Sequence, residues 1–277
     1  MELIVLLLVL GLRRMEIDWP AALVTPDRHQ RWLTRVAGRF ESSSLGWILG
    51  VLLPVLLLGL VMFWPVIFLP LWMLLLGPLL LLWLLGGQSE FRLVEELLVR
   101  GRLQDSKGFE QHADSMGVAG KLKEPTYGAR LVQTILGREV QLFAVIFWFI
   151  LGGFPVALLY VLNSAWLSRA SSSNPLLDVA QIIHQFLVWL PSRLLVLCMA
   201  LVGNFSAVMT RMSGEWLRVS PSIAVMQEAA SAALSRPAGV QEKGLEAITD
   251  ELEELQGLLL RCLAVWLILA AMWVMIS

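Results

Sequence analysis

The residues of this chain that could do chemistry lie within a stretch that is otherwise apolar, residues 178–204. An ionisable or hydrogen-bonding side chain inside a membrane-crossing segment marks a functional site by default. The candidate ligand-binding residues in this stretch are Gln181, His184, Gln185, Ser192 and Arg193. A guanidinium at that depth can hold a bound anion, and an imidazole can bind a ligand or relay a proton.

Helical spacing gathers several polar residues of this stretch on one side. At about 100° per residue, a sector roughly 60° wide contains Asp178, Gln181, Gln185, Trp189 and Ser192. A continuous helix would therefore carry a polar stripe, which must face protein or water and not lipid. Pro191 lacks a backbone N–H and clashes with the preceding turn, so we expect a kink or a restart there, with freed carbonyls as ligands. The alternative is an ordinary transmembrane helix with one proline and one satisfied polar pair.

The composition assigns the chain to the integral membrane proteins. Hydrophobic residues make up 57% and charged residues 16% of the chain, against about 25% charged residues in soluble proteins, and the mean hydropathy is +0.73. The lipid bilayer is therefore the expected partner. A net charge of -1 gives no indication of a nucleic-acid partner. Cys198 and Cys262 both lie in apolar runs, which supports neither a disulfide framework nor a metal cluster.

The predicted fold class is an all-α polytopic membrane protein with about five transmembrane helices, a short N-terminal half-depth helix and two helical cytoplasmic regions. We expect a single integral membrane domain over residues 1–277. Its predicted segments are a half-depth helix with a basic cytoplasmic segment (1–44), a helical hairpin (45–85), a cytoplasmic helical loop (88–140), paired spans (141–204), a second cytoplasmic helical loop (205–256) and a C-terminal span (257–276).

Prolines and glycines place the predicted bends. Pro65 and Pro70 indicate the turn of the hairpin, and Gly152, Gly153 and Pro155 permit close packing and a kink in the third span. In the first cytoplasmic loop, apolar residues at helical spacing predict an amphipathic helix from Ser89 to Leu103. The acidic helix that ends the second loop is expected to run straight into the last span.

The distribution of Lys and Arg predicts the orientation in the membrane. Residues 13–44 contain six, residues 88–140 eight and residues 205–256 four, whereas the loop 164–177 has Arg169 alone. With five crossings, the three basic segments fall on one side, which the positive-inside rule makes cytoplasmic.

Motifs for common chemistries are absent from the sequence, including phosphate-binding, dinucleotide-binding, zinc-protease and nucleophile-elbow patterns. Three histidines are too far apart in sequence to suggest a site. We therefore predict no metal site and no cofactor.

A resemblance covers residues 88–235. The segments LLVRGRLQDSKGF, ILGRE, IFWFILGGFPVALLYVLNS, FLVWLPSRLLVL and SPSIAVMQEAASAAL, in this order, resemble the superfamily of membrane-bound cobinamide-phosphate synthases, CobD/CbiB. Within it, the chain is most similar to the divergent AmpE branch, inner-membrane proteins associated with β-lactamase regulation. The resemblance implies a location in the bacterial inner membrane, and the retained Asn163 joins the candidate ligand-binding residues.

The departures from the synthase pattern fall on its carboxylates. Leu136, Val140 and Trp166 stand near positions where the synthases have acidic residues, and His184-Gln185 stand near their Asp-Asp pair. An ATP-dependent amide-forming enzyme needs carboxylates to hold Mg²⁺ and to handle the amine proton. The chain is therefore more consistent with a non-enzyme than with an enzyme.

Three functional hypotheses follow. The first is a non-catalytic accessory or sensor protein in β-lactamase regulation and peptidoglycan or envelope stress signalling, with an unknown small-molecule ligand or signalling partner protein. The alternative is a membrane enzyme with altered chemistry at Arg193 and nearby loop residues, and ATP and Mg²⁺ belong to this hypothesis alone. A third hypothesis, a transporter, rests on the broken polar span.

Overall fold

The computed structural model of the chain describes residues 2–14, 28–37, 44–63, 69–86, 90–170, 174–216, 223–235 and 244–276. Every regular element in these residues is helical. The first half of the chain forms α1 (Glu2–Arg14), α2 (Arg28–Ala37), α3 (Ser44–Trp47), a π-helical turn (Ile48–Leu52), α4 (Leu53–Phe63), α5 (Leu69–Leu85), α6 (Glu90–Arg102) and α7 (Ser106–Ser115). The second half forms α8 (Tyr127–Leu167), α9 (Leu177–Val202), α10 (Phe205–Arg211), α11 (Ile223–Ala233) and α12 (Leu245–Ile276).

Four helical stretches are long and apolar enough to cross a membrane: Ser44–Met62, Tyr127–Leu167, Leu177–Val202 and Leu245–Met272. This confirms the all-α membrane fold. The second arm of the expected hairpin is α5, whose 17 residues lie at the lower limit of the roughly 17–25 that a span needs. The count of five spans therefore stays a prediction, and the expected turn at Pro65 lies outside the described residues.

Contacts group the helices into two compact units. Unit 1 comprises Met1–Gln88, Leu142–Val188 and Val274–Ser277, and unit 2 comprises Ser89–Gln141 and Trp189–Trp273. The two long helices α8 and α9 contribute residues to both units. The segment boundaries predicted from the sequence stay predictions.

In unit 1, basic residues cover the C-terminal end of α5. Arg28 donates to the carbonyls of Trp83 and Leu84, and His29 Nε2 donates to the Trp83 carbonyl at 3.1 Å. Arg13 Nη2 reaches the Leu85 carbonyl at 3.4 Å. The last carbonyls of a helix have no intrahelical donors and carry partial negative charge, so cations are favourable there. Arg13, Arg28 and His29 thus supply donors to the last carbonyls of α5.

Gly86 completes this helix end because its backbone has φ +85°, a conformation that suits glycine. Its N–H donates to the Leu82 carbonyl at 2.7 Å. A Cβ at this position would lie 3.0 Å from the Arg28 guanidinium, so a larger residue would also require this side chain to shift by a few tenths of an ångström.

The predicted kink in the third span is present in α8. Gly153 has φ 68° and ψ −168°, which divides the 41-residue helix into two helical stretches. Pro155 follows within two residues, and the rings of Phe149 and Phe154 pack across the kink with centroids 4.7 Å apart. The chain can turn here because glycine tolerates a positive φ that costs other residues free energy.

The restart expected at Pro191 is wrong, because α9 continues through this residue as one helix. Proline leaves the carbonyl four residues earlier, that of Leu187, without its helical donor. The indole Nε1–H of Trp148 donates to this carbonyl at 2.7 Å. The carbonyl expected to be free for a ligand therefore has a partner within the chain.

In unit 2, the amphipathic helix predicted at Ser89–Leu103 is α6, and its buried residues are Val94, Leu97, Leu98 and Gly101. It packs closely on the start of α12, since a Cβ on Gly101 would lie 2.2 Å from Thr249 Oγ1. Gln256 Nε2 donates to the Phe91 carbonyl at 3.0 Å. As predicted, the acidic helix continues without interruption into the last apolar stretch, within α12.

Candidate functional site

The six candidate residues are divided between the two units. Unit 1 contains Asn163, Gln181, His184 and Gln185, and unit 2 contains Ser192 and Arg193.

Asn163 links three helices of unit 1 through the hydrogen bonds of its side-chain amide. Its side chain is fully buried. Its Oδ1 accepts from Trp47 Nε1 at 2.9 Å, and its Nδ2 donates to the Ala180 carbonyl at 2.9 Å. The amide thus joins α3, α8 and the start of α9, where no water is at hand to replace these partners. Its hydrogen bonds hold helices together, which leaves little capacity for a ligand.

His184 stacks on Tyr160 in unit 1. The ring centroids are 5.9 Å apart and the planes differ by 6°. The histidine is half-buried, and its Nδ1 finds no hydrogen-bond partner among the described residues. A proton relay needs such partners on both sides of the ring, so this geometry favours packing over the predicted relay.

The predicted polar stripe of α9 is exposed at one end and buried at the other. Asp178, Gln181 and Gln185 are exposed. Ser192 is buried, and its hydroxyl donates to the Trp189 carbonyl at 2.7 Å, one turn earlier in the same helix. Such a local bond satisfies a hydroxyl in an apolar helix without any ligand.

Arg193 is buried in unit 2, with 7% of its surface exposed. Glu215, in the turn that follows α10, is close enough for its charge to act on this side chain. Glu139 of the same unit is also buried. A buried arginine can form an ion pair with an acidic side chain, or it can bind an anion in place of that partner. Glu215 was missed from the sequence, because only the path of the chain after α10 brings it near.

Unit 2 also has a cleft that the sequence did not indicate. Its volume is about 460 Å³, and it is lined by Asn204, Ser206, Ala207, Thr210, Arg211, Glu228, Ser231 and Ala232. Arg211 Nε pairs with Glu228 at 3.2 Å, and Thr210 and Ser231 donate to carbonyls one turn earlier. The polar groups of this cleft are thus largely engaged with each other.

Metal ligands do not gather in the part of the chain that the structure describes: it has no group of three His, Cys, Asp or Glu side chains that could hold an ion. Cys198 and Cys262 are buried free thiols.

Comparisons of this chain with models of protein families, with curated proteins and with solved structures find no significant match. The resemblance to the synthase superfamily therefore stays a prediction from its sequence motifs.

Proposed function

We propose that the chain is a non-catalytic inner-membrane accessory or sensor protein of AmpE type, acting in β-lactamase regulation and in the response to peptidoglycan or envelope stress. The observation that supports a non-catalytic role is the burial of three apolar residues. Leu136, Val140 and Trp166, near the positions of the synthase carboxylates, are exposed by only 0%, 7% and 4%.

The burial of Leu136, Val140 and Trp166 bears on metal binding, because these side chains fill packed space inside the protein. Mg²⁺ is bound by oxygen ligands, usually carboxylates and substrate phosphates. A leucine, a valine and a tryptophan offer no oxygen, and a carboxylate in their place would be desolvated at a cost of several kcal/mol. Their burial supports the proposal that these positions form core and do not hold a metal.

The polar residues that remain support the same proposal. Asn163 is held by Trp47 and Ala180, and the Leu187 carbonyl by Trp148. These groups position helices, as a signalling or accessory protein also requires, and their hydrogen bonds are used within the chain.

A paired growth assay tests the non-catalytic part. The chain is expressed in a strain that lacks cobinamide-phosphate synthase and grows where cobalamin must be made from early precursors. We expect no growth, although an authentic synthase under the same promoter restores it and the chain is found in the membrane fraction. Growth would overturn the interpretation of Leu136, Val140 and Trp166.

The regulatory part is tested in the source organism. Deletion of the gene is expected to change the β-lactamase activity induced by a β-lactam, and a plasmid copy is expected to restore it. An unchanged induction curve would refute the regulatory assignment and leave the non-catalytic one in place.

The enzyme with altered chemistry is the second candidate, and the burial of Arg193 near Glu215 favours it. Mass spectrometry of molecules that co-purify with the chain separates the two candidates. A phosphorylated or nucleotide-like molecule would favour an enzyme using ATP and Mg²⁺, whereas lipid alone would favour the accessory protein. The transporter hypothesis stays a prediction, although α9, whose expected break suggested it, runs as one helix through Pro191.

A further inference from the structure

The first half of α9 exposes polar residues within a candidate membrane span. Gln181 and Gln185 are exposed, Asp178 lies one turn before them, and none of the three makes a hydrogen bond or an ion pair with any residue that the structure describes. The two glutamines are four residues apart, so their amides lie on one face, about 6 Å apart along the helix. Apolar residues flank them on the exposed surface, namely Val179, Ile182 and Phe186.

An amide side chain that faces lipid has no water to bond with, so it gains free energy by finding a partner across a helix interface. We propose that this face of α9 packs against the same face of a second copy of the chain, with Gln181 and Gln185 hydrogen-bonded between the two copies. The exposed Ile182 and Phe186 would shield these hydrogen bonds from lipid.

Self-complementarity is the reason to choose a second copy as the partner. An amide carries both a donor and an acceptor, so a glutamine can pair reciprocally with the same glutamine of another copy. Copies inserted in one orientation are related by an axis along the membrane normal, which makes the two α9 helices parallel and brings equal residue numbers together. Asp178 lies in the first turn of α9, where the two carboxylates can remain near the membrane surface and hydrated.

Cysteine cross-linking of the full chain in liposomes tests the contact directly. Gln185→Cys and Gln181→Cys are expected to form disulfide-linked dimers under mild oxidation. The matched control is Leu201→Cys, 59% exposed on the same helix and far from the glutamine face, which should not cross-link. The native Cys198 and Cys262 are buried, so the unmodified chain serves as the background. Labelling of Gln185→Cys by a membrane-impermeant thiol reagent, without cross-linking, would show a water-filled cavity and overturn the proposal.

Energy transfer between labelled copies in liposomes measures the strength of the contact. Gln181→Leu with Gln185→Leu is expected to raise the dimer dissociation constant about tenfold or more, and Leu201→Ala should leave it unchanged. Leucine is favourable in spans, so the double variant should still insert, and the cross-linking result does not depend on it. A full chain that is monomeric at every protein-to-lipid ratio, or a dimer insensitive to both leucines, would overturn the proposal.

Discussion

Two indole groups provide hydrogen bonds that lipid cannot. Trp47 donates to Asn163, and Trp148 donates to the Leu187 carbonyl that Pro191 deprives of its helical donor. In water such an acceptor could be hydrated, but in an apolar environment a lost partner costs the full desolvation penalty. These two tryptophans thus satisfy polar groups inside the protein.

Replacing Trp148 tests this role. Trp148→Phe is expected to lower the free energy of unfolding in detergent by about 1–3 kcal/mol, because it leaves the Leu187 carbonyl without a donor. Pro191→Ala in the same chain should recover most of this loss, because residue 191 then has an N–H that can donate to that carbonyl.

The control is Trp32→Phe, which removes a longer hydrogen bond of 3.4 Å from a more exposed indole and should cost less. Equal losses for the two tryptophans, or no recovery with Pro191→Ala, would contradict the role of Trp148.

Arg193 can be tested in the same way. Arg193→Gln is expected to lower the melting temperature in detergent, since it leaves Glu215 without the opposite charge, and Glu215→Gln in addition should restore part of it. Induction of β-lactamase is measured alongside. A variant with unchanged melting and lost induction would instead assign Arg193 to ligand binding, as the sequence suggested.

At the scale of elements, the sequence predicts helices whose pattern is local. The apolar spacing after Ser89 gave α6 to within one residue at each end, and the Gly-Gly-Phe-Pro segment gave the kink in α8. The sequence-based prediction of a restart at Pro191 was wrong. The Trp148 donor that satisfies the freed Leu187 carbonyl lies 39 residues away along the chain, so no local pattern indicates it. The hydrogen bond between Trp47 and Asn163 joins residues 116 positions apart in the chain, so no local pattern indicates it.

The closed end of α5 gives a prediction on pH. Burial, and then the charge of Arg28, lower the pKa of His29 from 6.5 to about 3. The folded state therefore keeps His29 neutral while the unfolded state takes up a proton below pH 6.5, so stability is full above this pH and falls as the pH drops from 6.5 towards 3. The free energy of unfolding falls by at most about 1.4 kcal/mol for each pH unit in this range.

His29→Gln is the matched variant, because a glutamine can still donate to the Trp83 carbonyl but does not titrate. Melting temperatures in detergent between pH 4 and pH 7 should fall less steeply for this variant than for the wild type. Parallel curves would mean that other groups govern the acid sensitivity.

At the scale of the whole molecule, one contact in unit 1 bears on orientation. Arg169 donates to the Gln30 carbonyl at 3.0 Å and to the Thr34 hydroxyl, although the charge distribution assigns these segments to opposite sides. Such a contact requires that both segments share a side or that one of them enters the membrane. The positive-inside arrangement with five spans is therefore compatible with this contact only if α2 or the segment after α8 enters the membrane.

Reporter fusions decide this point. Fusions after Gln30, Ala119 and Ser231 are expected to report cytoplasm, and fusions after Ser172 and Ser277 periplasm. A periplasmic signal at Ala119 would refute the five-span arrangement. Equal signals at Gln30 and Ser172 would show that the contact of Arg169 with α2 governs the topology of this half of the chain.

The closed end of α5 also has a consequence for synthesis. Arg28 precedes the carbonyls that it binds by 55 and 56 residues. A ribosome adds about 5–20 residues per second. The Arg28 guanidinium is therefore synthesised roughly 3–11 s before these carbonyls. During that time it can bind water or an anionic lipid headgroup at the membrane surface. Arg28 is therefore made before its partners and reaches its final place only after α5 has left the ribosome.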